Sequence, residues 1–151
     1  MAVFSSVPAV KNALYDRLAA RPGLISSGLT VSYGPPVPVP GEFIWVGNVP
    51  EHEQLQIGAG PAPHTREENY VLEVIVSVLR QGGQQQECTE RAYTLAAEVE
   101  DEIADDPNLN GAISTGYLAE VEGLVLVEKA DDKQRQSDIL VRVRCRTLIG
   151  P

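Results

Sequence analysis

Residues 141–146, with the sequence VRVRCR, alternate strictly between an apolar residue and an arginine. Successive side chains of a β-strand point to opposite faces of a sheet, so this stretch predicts a strand with one apolar and one cationic face. The cationic face carries Arg142, Arg144 and Arg146, and a slip of one residue in register would place all three charges in the core. The chain must therefore form a sheet that is covered on one side and presents arginines on the other.

The longest strand pattern lies in the middle of the chain, at residues 68–80. Its apolar residues continue the alternation over a length of about 40 Å at roughly 3.3 Å per residue, which equals the expected width of the domain. We therefore expect one end of this strand to project towards a neighbouring molecule. Further strands are predicted at residues 29–33, 42–47, 117–129 and 137–149, where short apolar runs are bounded by turn residues.

Two segments have the spacing of three and four residues that is typical of amphipathic helices. The first starts at Ser5 or Ser6, which can cap a helix, with Pro8 in its first turn, and the second follows the glycines at 82 and 83. Two helices with one apolar stripe each can cover only one face of a sheet. The sequence therefore predicts an α+β fold, with a mixed, mainly antiparallel sheet and two amphipathic helices packed on one face. At 151 residues the chain is most simply a single domain covering residues 1–151.

Residues 48–66 show no confident periodicity, and we interpret them as a long loop or arm. Loops of this length inside a compact domain are usually functional or flexible. We expect the arm to become ordered only on assembly, as segments that fold on binding do.

The last two strands should form an antiparallel hairpin because only a short polar loop joins them. A turn centred on Asp132 would place Val121 opposite Val143 and Val125 opposite Ile139, beneath the helices. On the arginine face it would give three pairs, namely Glu122 with Arg142, Glu120 with Arg144 and Leu118 with Arg146.

Two interpretations of the arginine face remain open. In the first, the face is a solvated ladder of ion pairs. In the second, it packs on a neighbouring subunit, where Arg146 meets an acidic helix, because arginine binds carboxylates well at interfaces. The residues that we assign to a candidate subunit interface are Arg142, Arg144, Arg146, Glu120, Glu122, Arg66, His64 and Gln54.

The charge balance argues against a protein that grips nucleic acid. The chain has 12 basic and 21 acidic residues, with a formal charge of −9, whereas phosphate binding depends on clustered lysines and arginines. Cys88 and Cys145 form no metal-binding or redox motif and are expected to be free, buried thiols. We find no pattern that predicts a catalytic, metal or cofactor site, and no stretch apolar enough to cross a bilayer.

Five short segments occur in a fixed order along the chain: VKNALYDRLAA, VSYGPP, IWVG, REENYVLEVIVSV and RAYTLAAEVEDEIADDPNLNG. In this order they resemble the tail terminator (tail completion) proteins of long-tailed bacteriophages, over about the whole chain. The resemblance rests on the order of the elements and on these short phrases, and it assigns no residue to a particular contact.

The resemblance implies a mixed α/β subunit of a hexameric ring that caps the tail tube, ends its polymerisation and joins the tail to the head connector. The implied partners are other copies of the chain, the tail tube protein and the head–tail connector protein. DNA would pass through the lumen without specific binding, no membrane would be involved, and the protein would reside in the virion after assembly in the host cytoplasm. One alternative is a head–tail connector or stopper subunit of the neck. Another, of a different class, is a small intracellular enzyme or ligand-binding domain.

Overall fold

Two helices and six strands make up the computed structural model, which describes residues 4–25, 28–58 and 65–150. They are, in chain order, α1 (Val7–Ala20), β1 (Leu29–Ser32), β2 (Glu42–Val46), β3 (Glu51–Gln56), β4 (Arg66–Gln81), α2 (Gln85–Asp105), β5 (Ala119–Ala130) and β6 (Gln134–Ile149).

The strands form one six-stranded sheet in the order β1-β2-β4-β6-β5, and β3 pairs with β4 beyond the end of β2. Only β1 and β2 are parallel, and the other pairings in the sheet are antiparallel. This mixed, mainly antiparallel sheet with two helices confirms the predicted α+β fold class.

The central strand β4 has 16 residues, as does β6. Each β4 residue from Arg66 to Gln81 has a partner in β6. The long strand does not extend without a partner, because the equally long β6 accompanies it from end to end. The expectation that one end reaches towards a neighbouring molecule stays a prediction.

Both helices pack on the same face of the sheet, as predicted. Val10, Leu14 and Leu18 of α1 are fully buried, and α2 contributes a second apolar stripe to the same core. The sheet supplies the inward-facing residues of its central strands, which are Tyr70, Leu72, Val74, Val76, Val78, Ile139, Val141, Val143 and Cys145. Each fully buried leucine or valine contributes about 1.5–3 kcal/mol through the hydrophobic effect, so this single core fixes which face the helices cover.

The segment at residues 48–66 is not one long loop, because residues Glu51–Gln56 form the strand β3. This strand pairs with β4, from Glu51 opposite Val71 to Gln56 opposite Arg66. The expectation of order only on assembly is thus wrong for β3, which is paired in the single chain. Its sequence, EHEQLQ, lacks the alternation of a half-buried strand, and five of its six residues are exposed. Backbone hydrogen bonds to β4 fix this strand, and burial of apolar side chains does not. Part of the predicted arm, residues 59–64, lies outside the described residues.

The β5–β6 hairpin follows the predicted register at one end and departs from it at the other. Val121 lies opposite Val143, and the Arg146 amide donates to the Leu118 carbonyl oxygen at 3.4 Å, as expected. A β-bulge between Val121 and Gly123 then shifts the pairing by one residue, so that Leu126, and not Val125, lies opposite Ile139. The bulge also reverses the alternation, because the extra residue turns the following side chains to the opposite face.

Candidate interaction surface

The sheet face opposite the helices, here called the open face, is left uncovered by the described part of the chain. A row of four apolar side chains crosses it from strand to strand, formed by Trp45 beside Ile75, Ile75 beside Leu140, and Leu140 beside Val125. None of the four belongs to the core beneath the helices. The first three are half-buried by their neighbours, and Val125 is 46% exposed. Apolar residues that line up on an uncovered face are typical of an interaction surface.

Two of the three predicted arginines are engaged within the chain. Arg144 lies 3.0 Å from one carboxylate oxygen of Glu122 and 3.4 Å from Glu51, and its guanidinium also donates to the Asn69 side-chain oxygen at 3.1 Å. Arg142 lies 3.4 Å from Glu122 and 3.3 Å from Glu51. Hydrogen bonding from Arg144 lowers the pKa of Glu122. Arg142 and Arg144 therefore match the first interpretation of the arginine face, a ladder of ion pairs within the chain.

The bulge explains why Glu122 serves both arginines. The predicted register, with Glu122 directly opposite Arg142, is wrong because Gly123 occupies that position, but the predicted contact between the Glu122 and Arg142 side chains is present at 3.4 Å. Glu122 is instead the extra residue of the bulge, and its carboxylate reaches the two guanidinium groups from between them. Glu51 of β3, a residue predicted to lie in a loop, completes the cluster from the other side.

Arg146 differs from the other two arginines. Its side chain is exposed, and it makes no ion pair with any residue that the structure describes. It borders a cleft of about 380 Å³ lined by Glu67, Gly116, Tyr117, Leu118, Glu120, Arg144 and Arg146. Glu120 is the strand partner of Arg144, as predicted, but within the described chain it forms no ion pair with it. Of the predicted arginine face, Arg146 is the cation that is available to a neighbour.

The remaining predicted interface residues lie elsewhere. Gln54 and Arg66 are on the helix side of the sheet, where the Arg66 guanidinium donates to the Gln54 side-chain oxygen at 3.0 Å and lies over the Phe4 ring. His64 lies outside the described residues. The structure therefore gathers Arg142, Arg144 and Glu122 into one cluster and separates Gln54 and Arg66 from it.

A buried carboxylate, Glu68, joins three elements and was not anticipated from the sequence. It accepts hydrogen bonds from the Ser6 amide at 2.8 Å and from the Ser6 hydroxyl, at the start of α1. It also accepts hydrogen bonds from two side chains of β3, from His52 Nε2 at 2.8 Å and from Gln54 Nε2 at 2.9 Å. Burial raises the pKa of Glu68, but the hydrogen bonds from the serines and His52 outweigh burial and hold the pKa at about 2. The ionised carboxylate thus ties β3 and the α1 N-terminus to β4.

The alternation of side chains along β4 is enough to predict that Glu68 is buried. Glu68 precedes Tyr70 and Leu72 by steps of two, so it shares their buried face. A carboxylate on a buried face requires several donors, because a buried charge without partners is costly.

The acidic helix that was expected to meet Arg146 is partly neutralised by its own chain. Arg21 binds Glu98 at 2.6 Å and Glu102 at 2.7 Å, and Arg17 lies 2.6 Å from Glu102. The Asp101 and Asp105 side chains remain mostly exposed.

The outer strand β5 has 12 residues, and no other strand among the described residues pairs with its outer edge. After the bulge its apolar side chains are exposed on both faces: Leu124 at 36%, Val125 at 46% and Val127 at 37%. An exposed edge strand offers unpaired backbone groups to another chain, and proteins usually protect such edges.

Among the described residues, no group of three or more histidine, cysteine, aspartate or glutamate side chains is placed to hold a metal ion. Cys88 and Cys145 are free and buried, as predicted, and burial raises the pKa of Cys145 to about 12. In the part of the chain that the structure describes, no helix is both long and apolar enough to span a membrane. Neither the models of known families nor the curated proteins include a match to this chain.

Charge reversal should have different effects on stability at Arg144, which is ion-paired, and at Arg146, which makes no ion pair with the described residues. We expect Arg144→Glu to lower the free energy of unfolding by about 1–2 kcal/mol, because it breaks the contacts with Glu122 and Glu51 and places like charges together. Arg146→Glu should change it by less than about 0.5 kcal/mol, as is usual for surface substitutions. Urea unfolding of both variants checks this, and equal losses would contradict the assignment of Arg146 as the unpaired cation.

Proposed function

We propose that this protein is a structural subunit of a bacteriophage tail, which forms a ring that caps the tail tube, ends tube polymerisation and joins the tail to the head connector. The observation that carries the proposal is the open face, since the helices cover only one side of the sheet. The other side presents the apolar row from Trp45 to Val125, together with the unpaired Arg146. A sheet finished on one side only is suited to completion by other copies or by a tail protein. The order of the five short segments supports the particular family.

The charge of the chain is compatible with DNA passage. Six copies would carry six times the formal charge of −9. An acidic wall repels phosphate, whereas a basic wall would hold DNA through its backbone. A ring of this composition would let DNA pass without retaining it.

The proposal is tested by tube growth. Purified tube protein is polymerised with and without the chain, and tube lengths are measured by electron microscopy. One ring equivalent of the chain per growing end should stop elongation, while tube protein alone continues to grow. Elongation at an unchanged rate would contradict the proposal. Binding to a head-side adaptor without any effect on tubes would favour the alternative, a connector or stopper subunit, over a terminator.

A further inference from the structure

We infer that neighbouring copies join edge to edge, with the outer edge of β5 in one copy paired antiparallel to the outer edge of β3 in the next. This inference rests on the proposed function, because it describes how copies meet in the proposed ring. The β5 edge is the first observation behind it. Leu124, Val125 and Val127 are exposed along this strand, which in the described part of the chain has a partner on one side only.

The second free edge belongs to β3. Its inner side pairs with β4, and no strand among the described residues lies on its outer side. Leu55 on this strand is 68% exposed, and Ile57, just beyond its end, is 44% exposed. The sheet therefore offers exposed apolar residues at both of these edges.

Strand direction makes the two edges compatible. β3 is antiparallel to β4, β4 to β6, and β6 to β5, so that β5 runs opposite to β3. Two copies placed side by side in the same orientation therefore bring β5 and β3 together as antiparallel strands. Such a contact uses two different surfaces, and repetition of a contact of this kind closes a ring when the rotation between copies permits it.

The backbone groups on the two edges also match. The Ile57 amide donates inward to Thr65, and the Asp131 amide donates inward to Gln134. Inward and outward hydrogen bonding alternates along an antiparallel strand. The odd-numbered residues of β3, and those of β5 after the bulge, therefore hydrogen-bond to the neighbouring strand of their own copy. The outward backbone groups then belong to His52, Gln54 and Gln56 on β3 and to Leu126, Glu128 and Ala130 on β5.

One register satisfies the side chains as well. It pairs the outward groups of Leu126 with Gln56 and of Glu128 with Gln54. On the open face it then places Val127 opposite Leu55 of the neighbouring copy, and Lys129 opposite Glu53. A shift of two residues in one direction would place Val127 opposite Glu53, and a shift in the other would place Lys129 opposite Leu55. Apolar pairs and opposite charges directly across strands are favourable, so the first register is preferred.

Cross-linking between copies tests this register. Val127→Cys and Leu55→Cys chains are purified separately, mixed, assembled and oxidised, and dimers are measured on a non-reducing gel. In this pair the Cβ atoms are close and on one face, so we expect about ten-fold more disulfide-linked dimer than from the control mixture. The control combines Val127→Cys with Gln56→Cys, which is also exposed but lies on the opposite face. The native cysteines are buried and do not compete.

A charge exchange provides a second measurement that needs no oxidation. Lys129 also lies 3.6 Å from Asp138 of its own copy, so the rescue, and not the single variant, reports the contact between copies. Lys129→Glu should weaken ring assembly several-fold, and addition of Glu53→Lys to the same chain should restore it. Glu53 is exposed and makes no ion pair within the described residues, so its reversal leaves the fold intact. Circular dichroism verifies folding of each variant.

The results of these experiments show whether the edge pairing fails alone or fails together with the proposed function. Selective cross-linking and charge rescue support edge pairing. Rings that form normally, with neither selective cross-linking nor rescue, overturn the edge pairing and leave the proposed function standing. Absence of rings even at the ends of tail tubes overturns both.

Discussion

Glu68→Ala should lower the free energy of unfolding by about 3 kcal/mol, although the Glu68 side chain lies on the helix side of the sheet and not on the open face. The substitution removes the acceptor of the Ser6 amide, the Ser6 hydroxyl, His52 and Gln54, inside a site where Glu68 itself has no exposed surface. Each buried donor that is left without a partner costs about 1–3 kcal/mol, and the loss of one member of a buried charged cluster is similarly costly. Urea unfolding followed by circular dichroism measures the effect.

The neighbouring Glu67 provides the matched control. Its side chain points to the open face and makes no ion pair with the described residues, so Glu67→Ala should change stability by less than about 0.5 kcal/mol. Equal stability of the two variants would show that Glu68 does not join β3 and α1 to β4.

The same carboxylate gives a pH dependence of known sign. The pKa of Glu68 is lowered to about 2 in the folded chain, below the value of about 4.3 that is usual for glutamate. A group with a depressed folded pKa stabilises the fold above its unfolded pKa and loses that contribution as the pH falls towards its folded pKa. The stability difference between the native chain and Glu68→Ala should therefore be full at neutral pH and shrink between about pH 4.3 and pH 2. A difference that stayed constant over this range would contradict ionised Glu68 as its source.

Arg21→Met should lower the free energy of unfolding by about 2–3 kcal/mol. Arg21 ends α1 and binds Glu98, Glu102 and Asp105 of α2, and Glu102 is almost fully buried. Hydrogen bonding to Glu102 is the largest cause of the raised pKa of Arg21. Removal of the guanidinium leaves several carboxylates close together, and breaking a buried pair is destabilising. Thermal and urea unfolding measure the loss.

Salt concentration and a control variant identify the cause of that loss. The loss should be smaller in 1 M salt, at which the screening length falls to about 3 Å and repulsion between the exposed carboxylates weakens. Lys133→Met, at an exposed position in the β5–β6 turn, should have little effect. If Arg21→Met is as stable as Lys133→Met, then the packing of α1 on α2 does not depend on this cluster.

Alternation of side chains was enough to predict the core of the fold. The run from Tyr70 to Val78 in β4 and the arginine-bearing β6 specify which face is buried, because any other register exposes apolar residues or buries charges. The helical spacing of apolar residues then predicts that the two helices cover this buried face, since each helix has one apolar stripe. These elements depend on local periodicity, which a single sequence contains.

The elements that were missed depend on backbone pairing. β3 has almost no apolar residues, so its position becomes visible only when the unpaired edge of β4 beyond β2 is known. The bulge at Glu122 and Gly123 is likewise invisible to an alternation analysis, which assumes one residue for each residue across the hairpin. As a result Val125 was assigned to the core, and Glu51 was not recognised as a partner of Arg142.

Electron microscopy of the purified chain, alone and mixed with tail tube protein, shows whether copies complete one another as proposed. We expect closed rings of a single diameter, found free or seated at one end of each tube. A chain that remains monomeric at high concentration, and that leaves both tube ends bare, would contradict this expectation.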